Sequence, residues 1–440
     1  MSIEVKESMM VTPSKETPKG RLWLSKLDMI IRTPYSHTQV LFVYHHPNTK
    51  TNFFDTKTMK EALSEALVYF YPMAGRLTFN DENGRYEIDC NAEGAMFVVA
   101  EASQTLAEFG KDYSNPESQL GKLMFPSCDY SKGLSSFPLL LVQLTRFKCG
   151  SVCLGFAQHH HVADGVSHLH FIKSWGRLVR GLELDVVPVH DRLSYLAPRD
   201  PPKVTFHHLE YEPPLPPTSF SGPMGTPIEG TFKLTKSQVN ALKEEAMKSV
   251  EKSTNYKLST FVVQAAHIWR CATKARGLAD DEDVKLLITV DGRSRLKTLP
   301  DGYCGNVYFL AACLDKAGNV SNNSLSYSAI KIYETLKRMN DTEYMKSAID
   351  YVESYPDLKG LLRGPATTVC PNLRINSWVR LPTHEADFGW GKPNFVGAIG
   401  IKCEGQTKIM QNADEDGSVL VAIKLFPSHM ELFKKYLYNF

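Results

Sequence analysis

The sequence lacks the features that direct a chain into a membrane, out of the cell or onto nucleic acid. Its 50 Lys and Arg residues nearly balance its 48 Asp and Glu residues, so the formal charge of +2 gives no general attraction to nucleic acid or anionic lipid. The amino-terminal segment has no secretory signal, and the longest apolar run, residues 137–144, is far shorter than the ~20 residues that span a bilayer. We therefore expect a soluble, cytoplasmic protein without a membrane or nucleic-acid partner.

The nine cysteines contain no CxxC pair, so they give no support to a structural zinc site. An odd number of scattered cysteines is typical of reduced thiols in the cytosol and not of a disulfide framework.

Length and proline content predict the domain organisation. A chain of 440 residues exceeds one compact core and predicts two domains of roughly 200 residues each. Ten prolines fall between residues 187 and 230, which excludes a regular helix across that stretch. We expect an N-terminal domain in residues 1–186, a crossover loop in residues 187–230 and a C-terminal domain in residues 231–440.

Both halves alternate strand-like and helical patterns, which predicts an α/β fold. Apolar residues at helical spacing follow Asp55, and a second helix begins near Asp164 or Ser167. Thr235 and Gln238 have the spacing of a capping box, and Ser259 with Thr260 opens a further helix. The strands predicted most clearly are residues 137–147, 152–157, 285–290 and 419–425.

Residues 158–165 (QHHHVADG) concentrate imidazoles at the end of a predicted strand, where a side chain can project into a cleft. Histidine suits general-base chemistry because its pKa lies near neutrality. Read in isolation, the segment favours the plainer interpretation, in which one histidine caps a helix and the others are solvated. A metal site is a weaker alternative, because adjacent strand residues face opposite sides and no HExxH spacing occurs; we expect no metal.

Residues 387–391 (DFGWG) invite comparison with the DFG segment of kinases. No Gly-rich phosphate loop or HRDxxxxN segment accompanies them, which argues against phosphoryl transfer. Alone, the segment predicts a glycine-permitted turn between strands.

Together, HxxxDG in the first half and DFGWG near the end resemble the signature of the BAHD acyltransferases. The resemblance covers the whole chain and includes, in family order, residues 71–76 (YPMAGR), 291–295 (DGRSR), 302–306 (GYCGN) and 376–378 (NSW). Within the family the chain resembles the hydroxycinnamoyl-CoA group, which includes the shikimate, quinate and anthranilate acyltransferases.

The resemblance implies two similar α/β domains with mixed sheets, as in chloramphenicol acetyltransferase, and a channel between them. It implies that His160 is the general base of direct acyl transfer from acyl-CoA, a cosubstrate and not a resident cofactor. Asp164 would support the histidine loop by pairing with Arg293, and Gly165 would relieve crowding at the turn. Structural support is also implied for Asp387, Gly389, Trp390 and Gly391.

The resemblance also implies binding positions for small-molecule substrates. Ser259 and Thr260 match the CoA-contact region. His37, Asn376 and Trp378 match positions of the acceptor pocket. Arg363 matches the arginine that binds the acceptor carboxylate in the shikimate and quinate enzymes, whereas the segment around His37 has anthranilate character.

These matches favour transfer of a p-coumaroyl or caffeoyl group to a carboxylated acceptor, with quinate first and shikimate close behind. N-acylation of anthranilate or another amine and O-acylation of a malate-like acid stay open. A catalytically silent binding protein and a hydrolase are the rival classes, and the absence of a GxSxG elbow weighs against the hydrolase. We expect a monomer.

Overall fold

The structure, a computed structural model, describes residues 2–30, 34–47, 52–109, 119–219, 224–248, 250, 256–356, 358–361, 364–398, 400–412 and 416–439. Strands and helices alternate along the chain, which confirms the α/β class. The strands described are β1 (Ile3–Val11), β2 (Arg21–Trp23), β3 (His37–Tyr44), β4 (Arg76–Asn80), β5 (Arg85–Asp89), β6 (Ala95–Ala102), β7 (Leu140–Arg146), β8 (Val152–His159), β9 (Ile228–Leu234), β10 (Asp283–Asp291), β11 (Tyr308–Lys316), β12 (Asn372–Ser377), β13 (Phe395–Ala398), β14 (Gln406–Gln411) and β15 (Val419–Leu425). The α-helices described are α1 (Lys26–Met29), α2 (Thr56–Tyr69), α3 (Gln119–Lys122), α4 (Gly165–Val179), α5 (Arg192–Leu196), α6 (Lys236–Lys248), α7 (Thr260–Arg276), α8 (Arg293–Leu296), α9 (Ala317–Asn322), α10 (Leu325–Arg338), α11 (Thr342–Ser354), α12 (Leu358–Leu361) and α13 (Pro427–Leu437).

The chain forms two compact units that are not continuous in sequence. Unit 1 comprises Met1–Ala197, Thr298–Val307 and Leu381–Gly400, and unit 2 comprises Pro198–Lys297, Tyr308–Arg380 and Ile401–Phe440. The first break lies within the predicted crossover, residues 187–230. The predicted domains are continuous stretches, whereas here two segments of the second half belong to unit 1.

Main-chain pairing explains why one of these segments belongs to unit 1. Strand β13 pairs antiparallel with β3, with Phe395 opposite Val43, so a segment about 350 residues distant completes the sheet. The sheet order is β1-β6-β7-β8-β3-β13, with β6 and β7 parallel. Strand β8 is interior and every one of its residues is buried. The histidine segment therefore directly follows a buried strand that is hydrogen-bonded on both sides.

Unit 2 contains the mixed sheet β11-β10-β12-β14-β15-β9, in which β10, β12 and β14 run parallel. Leu373 and Ile375 of β12 are fully buried, and α7 packs against this strand. The alternate residues Arg374 and Asn376 are only partly buried and lie on the opposite face. The two faces of this sheet thus differ in chemistry.

Several local predictions are confirmed. Asp55 caps α2, its Oδ2 accepting from Thr58 N at 2.8 Å. Thr235 and Gln238 form the predicted capping box, with Gln238 Oε1 2.9 Å from Thr235 N and Thr235 Oγ1 3.2 Å from Gln238 N. The Pro-rich stretch does contain one short helix, α5, which begins after its cap Asp191 and fits between Pro188 and Pro198. None of the described helices is long and apolar enough to span a membrane.

Candidate active site

His160 occupies the turn that leads from β8 to α4. The neighbouring histidines, His159 and His161, are fully buried, whereas His160 is partly exposed. His160 is the first residue of the turn that follows β8, where the chain leaves the fully buried strand. Among residues 158–164, His160 is the one side chain that is not buried.

Asn306 contacts His160 at two points. Its side-chain Nδ2 donates to the main-chain oxygen of His160 at 2.8 Å, and its Oδ1 lies 3.1 Å from His160 Nδ1. The same Nδ2 also donates to Asp28 Oδ1 at 2.8 Å. The amide of Asn306 therefore uses both of its N–H bonds and its oxygen within unit 1.

This arrangement determines the histidine tautomer. A main-chain carbonyl and a carboxylate can only accept hydrogen bonds, so the amide nitrogen of Asn306 must face them and its oxygen must face the ring. A carbonyl oxygen in turn requires a donor, so the neutral His160 ring carries its proton on Nδ1. The lone pair then belongs to Nε2, which makes Nε2 the atom that can accept a proton.

Asp28 supports Asn306 from a fully buried position at the end of a short helix. Its Oδ1 accepts from Asn306 N at 3.0 Å as well as from the side chain. Its Oδ2 accepts from Ser25 N at 3.0 Å and from Ser25 Oγ at 2.8 Å. Arg192, also fully buried, places Nε 3.3 Å from the same oxygen. A buried carboxylate is thus neutralised and hydrogen-bonded on both oxygens.

Arg192 connects this network to the turn that carries His160. Its Nη2 donates to the main-chain oxygen of Val162 at 2.6 Å, two residues beyond His160. Asn306, Asp28 and Arg192 therefore form a buried polar network that begins and ends on the turn carrying the imidazole. A buried polar network that contacts the turn at both ends favours one geometry of that turn.

Asp164 fixes the other side of the turn. As the N-cap of α4 it accepts from Ser167 N at 3.0 Å through Oδ1, and its Oδ2 accepts from Val307 N at 3.0 Å. Ser167 Oγ donates to Gly305 O at 3.0 Å. The histidine turn and residues 305–307 are therefore joined through three side chains: Asp164, Ser167 and Asn306.

A crowding role for Gly165 finds little support in the geometry. A Cβ placed there would meet Leu381 Cδ1 at 3.4 Å, the flexible end of a side chain.

The predicted partner of Asp164, Arg293, belongs to unit 2, where its Nη1 lies 3.1 Å from Asp291 Oδ1. The pair between Asp164 and Arg293 stays a prediction.

The surrounding histidines are held neutral. Burial lowers the pKa of His161 and of His168 to about 3. Burial also lowers the pKa of His37 to about 4. His37 Nδ1 lies 2.6 Å from Tyr130 Oη and His37 Nε2 lies 2.9 Å from Pro138 O, so both ring nitrogens are already used. If His37 binds the acceptor, as predicted, its ring must either contact the acceptor by packing or first give up its hydrogen bond to Tyr130 or to Pro138.

No group of three or more His, Cys, Asp or Glu side chains suited to a metal ion occurs within the described ranges.

The DFGWG segment lies in unit 1 and packs against α4. Asp387 Oδ1 accepts from Gly389 N at 2.8 Å and Gly391 N at 3.0 Å, and both glycines have positive φ, +99° and +107°. The Phe388 ring lies 4.9 Å from that of Trp175 on α4. Trp390 stacks on Phe54 with ring centroids 4.7 Å apart. These contacts are those of a packing element, and its support of the site stays a prediction.

The remaining predicted residues belong to unit 2. Ser259 is the exposed N-cap of α7, with Oγ 3.3 Å from Val262 N, and Thr260 is the first residue of that helix. Asn376 lies on β12, and Trp378 follows it with its ring 5.4 Å from Lys408 Nζ. Arg363 lies outside the described residues. The CoA and acceptor assignments of these residues stay predictions.

Sequence reasoning singles out His160 and Asp164 but not the residues that hold the imidazole. Asn306 was noted only as part of a motif, and neither Asp28 nor Arg192 was singled out. Residues 25–28 have the S-x-x-D spacing of an ordinary capping box, and they do form one. The buried polar role of Asp28 depends on a partner 278 residues away, which no local pattern indicates.

The described chain thus comprises two α/β units with mixed sheets, one of which positions His160 at the end of a strand. The structure matches that of vinorine synthase with a TM-score of 0.74 over 98% of this chain and 96% of that chain, at 22% identity. It also matches F. sporotrichioides TRI101, solved with coenzyme A and T-2, with a TM-score of 0.77 over 94% and 97% of the two chains, at 19% identity. These likenesses confirm the predicted fold.

The sequence comparisons identify the family. The model of the transferase family matches residues 1–439. An anthranilate N-benzoyltransferase of Dianthus caryophyllus is 49% identical, a shikimate O-hydroxycinnamoyltransferase of Nicotiana tabacum 48% and a hydroxycinnamoyl-CoA:5-hydroxyanthranilate N-hydroxycinnamoyltransferase of Avena sativa 45%, each over the full length of both chains. The chain belongs to this family, the BAHD acyltransferases, as the motifs indicated.

Proposed function

We propose that this acyltransferase moves a hydroxycinnamoyl group, p-coumaroyl or caffeoyl, from coenzyme A to a small acceptor that carries a carboxylate. His160 is the general base. The observation that carries the proposal is the bond between His160 Nδ1 and Asn306 Oδ1, 3.1 Å, because it leaves Nε2 as the proton acceptor. The plant relatives, named for hydroxycinnamoyl or benzoyl transfer, support the same chemistry.

The reaction is direct. His160 Nε2 takes the proton of the acceptor hydroxyl or amine while that oxygen or nitrogen attacks the thioester carbonyl carbon. The tetrahedral intermediate collapses as the carbon–sulfur bond breaks, and the imidazolium returns its proton to the departing thiolate. The products are the acylated acceptor and free coenzyme A, with no acyl-enzyme. Acyl-CoA is therefore a cosubstrate, which the TRI101 structure with bound coenzyme A supports for this fold.

The acceptor is quinate or shikimate in our first proposal. Arg363 matches the quinate and shikimate pattern, Asn376 matches the quinate pattern, and the tobacco relative is named for shikimate O-acylation. The second candidate is N-acylation of anthranilate, which the carnation relative favours by its name at 49% identity. Both acceptor types pair a carboxylate with a nucleophilic hydroxyl or amine.

The test is a steady-state assay of thiol release from p-coumaroyl-CoA, with the product identified by mass. Quinate, shikimate, anthranilate and malate are offered separately, and a reaction without acceptor measures hydrolysis. His160→Ala should stay folded and lose ~10²–10⁴-fold of the acceptor-dependent rate, whereas His207→Ala, a control at a 75% exposed side chain, should keep it. Thiol release that ignores every acceptor would identify a hydrolase, and no release at all would favour a binding protein.

We propose in addition that the protein acts as a monomer in the cytoplasm. All nine cysteines are free thiols, which supports a reducing compartment. Light scattering on a sizing column should give one mass near 49.4 kDa. A stable dimer would contradict the monomer.

A further inference from the structure

Arg374 lies on an interior strand of the unit 2 sheet. It lies on β12, between Leu287 of β10 and Gln406 of β14. Its guanidinium makes no hydrogen bond or ion pair with any residue that the structure describes. Burial lowers the pKa of Arg374, so its surroundings disfavour the charged form. A guanidinium carries five donors and stays protonated, and leaving it unpaired in a partly buried place is unfavourable.

The same face of the sheet carries further positive charge. Lys408 is 5% exposed and lies opposite Asn376, two residues beyond Arg374, and Lys285 is 3% exposed and lies opposite Asn372, two residues before it. Arg374 therefore has two lysines as diagonal neighbours on this face of the sheet.

The carboxylates on this face of the three parallel strands do not pair with Arg374. Within the described parts of β10, β12 and β14, they are Asp283 and Asp291, at the two ends of β10. Asp283 Oδ1 lies 2.8 Å from Lys316 Nζ, and Asp291 Oδ1 lies 3.1 Å from Arg293 Nη1. Both are already paired with cations outside the centre of the sheet. The guanidinium of Arg374 therefore has no carboxylate partner among the described residues of these strands.

We propose that Arg374, flanked by Lys408, is an oxyanion subsite that binds the carboxylate of the acceptor. The guanidinium fork suits two parallel hydrogen bonds to a carboxylate. Neighbouring side chains favour this ligand over a phosphate of coenzyme A, which has the same charge chemistry. Asn376, on the same face, can hydrogen-bond a hydroxyl, and Trp378, whose ring lies 5.4 Å from Lys408 Nζ, offers a flat apolar surface.

This subsite rests on the proposed function for the identity of its ligand, but its existence can be tested by binding alone. The catalytically disabled His160→Ala protein is heated with and without quinate, shikimate or anthranilate, and the shift in Tm is recorded. A carboxylated acceptor should raise Tm, and Arg374→Met in the same background should abolish the shift. Arg380→Met is the matched control, because Arg380 is exposed. If acceptors shift Tm equally with and without Arg374, the subsite is overturned, whatever the assay of thiol release shows.

Kinetics of the otherwise unmodified enzyme then identify the ligand. Arg374→Met should raise the KM of a carboxylated acceptor roughly tenfold or more, and the KM of its methyl ester or of aniline much less. The KM of p-coumaroyl-CoA should stay the same. The control donor is p-coumaroyl-pantetheine, which lacks the nucleotide phosphates. If Arg374→Met raises the KM of p-coumaroyl-CoA but not that of p-coumaroyl-pantetheine, Arg374 binds coenzyme A and the acceptor assignment is overturned.

The stability of the ligand-free variant separates a ligand-binding arginine from a structural one. Removing an unpaired, partly buried charge should leave the Tm of Arg374→Met unchanged or raise it, whereas removal of a structural arginine would lower it. A fall in Tm of the ligand-free protein together with an unchanged acceptor KM would reject the proposal.

Discussion

Asn306 binds both the main-chain oxygen and the ring of His160, at 2.8 Å and 3.1 Å. One side chain thereby fixes the position of the proposed base and the nitrogen on which its proton resides. The third bond of the same amide, to Asp28 Oδ1, prevents the amide from turning over.

Asn306→Ala should lower kcat by roughly 10–100-fold, because the neutral imidazole would populate both tautomers and lose its fixed orientation. The acceptor KM should change much less. Nitrogen-15 NMR of labelled histidine should report the Nδ1–H tautomer for His160 in the wild type and a mixture in the variant. Asn83→Ala, in an exposed turn, is the control. An Asn306→Ala enzyme with wild-type kcat and an unchanged tautomer would contradict the positioning role.

Asp28→Asn should destabilise the protein by about 3–5 kcal/mol, since it leaves the fully buried Arg192 without a counter-ion. Activity per folded molecule should fall as well, because Asn306 loses a charged acceptor. Urea unfolding measures the first effect and thiol release the second. The exposed Asp81→Asn should change neither, and an equally small effect at Asp28 would remove the buried network from the account of the site.

The buried network of Asn306, Asp28 and Arg192 could not be predicted from the sequence, whereas other features could. The fold class, β15, the cap of α2 and the His160–Asp164 turn were predictable because each depends on local periodicity or on a motif. Asp28, Arg192 and the bonds of Asn306 were not, because they depend on segments that meet only after folding. The same reason explains unit 1, since pairing of β13 with β3 is a register of main-chain bonds between distant segments.

Asp164→Ala should lower the free energy of unfolding by about 2 kcal/mol or more, because the substitution removes both the cap of α4 and the acceptor of Val307 N. Activity per folded molecule should fall because the histidine turn loosens. Asp55 is the corresponding cap of α2. Asp55→Ala should lower the free energy of unfolding by only about 1 kcal/mol and leave activity unchanged. The predicted pair with Arg293 is tested by a double-mutant cycle with Arg293→Ala. A coupling free energy near zero would reject that pair and leave the two bonds described here intact.

Buried histidines predict how stability depends on pH. Burial is the largest cause that lowers the pKa of six of them to about 3 or about 4: His37, His161, His168, His190, His267 and His429. In the unfolded chain each would titrate near the usual value of about 6.5.

Between about pH 6.5 and pH 4 the unfolded chain therefore binds protons that the folded chain refuses, so the free energy of unfolding falls as the pH falls. Each histidine contributes up to about 1.4 kcal/mol per pH unit in that window. Urea unfolding at several pH values should show a stability plateau above about pH 7 and a steep decline below about pH 6. His168→Gln should flatten the decline by about one histidine's share. Stability that is constant from neutral pH to about pH 5 would show that these rings accept protons in the folded protein.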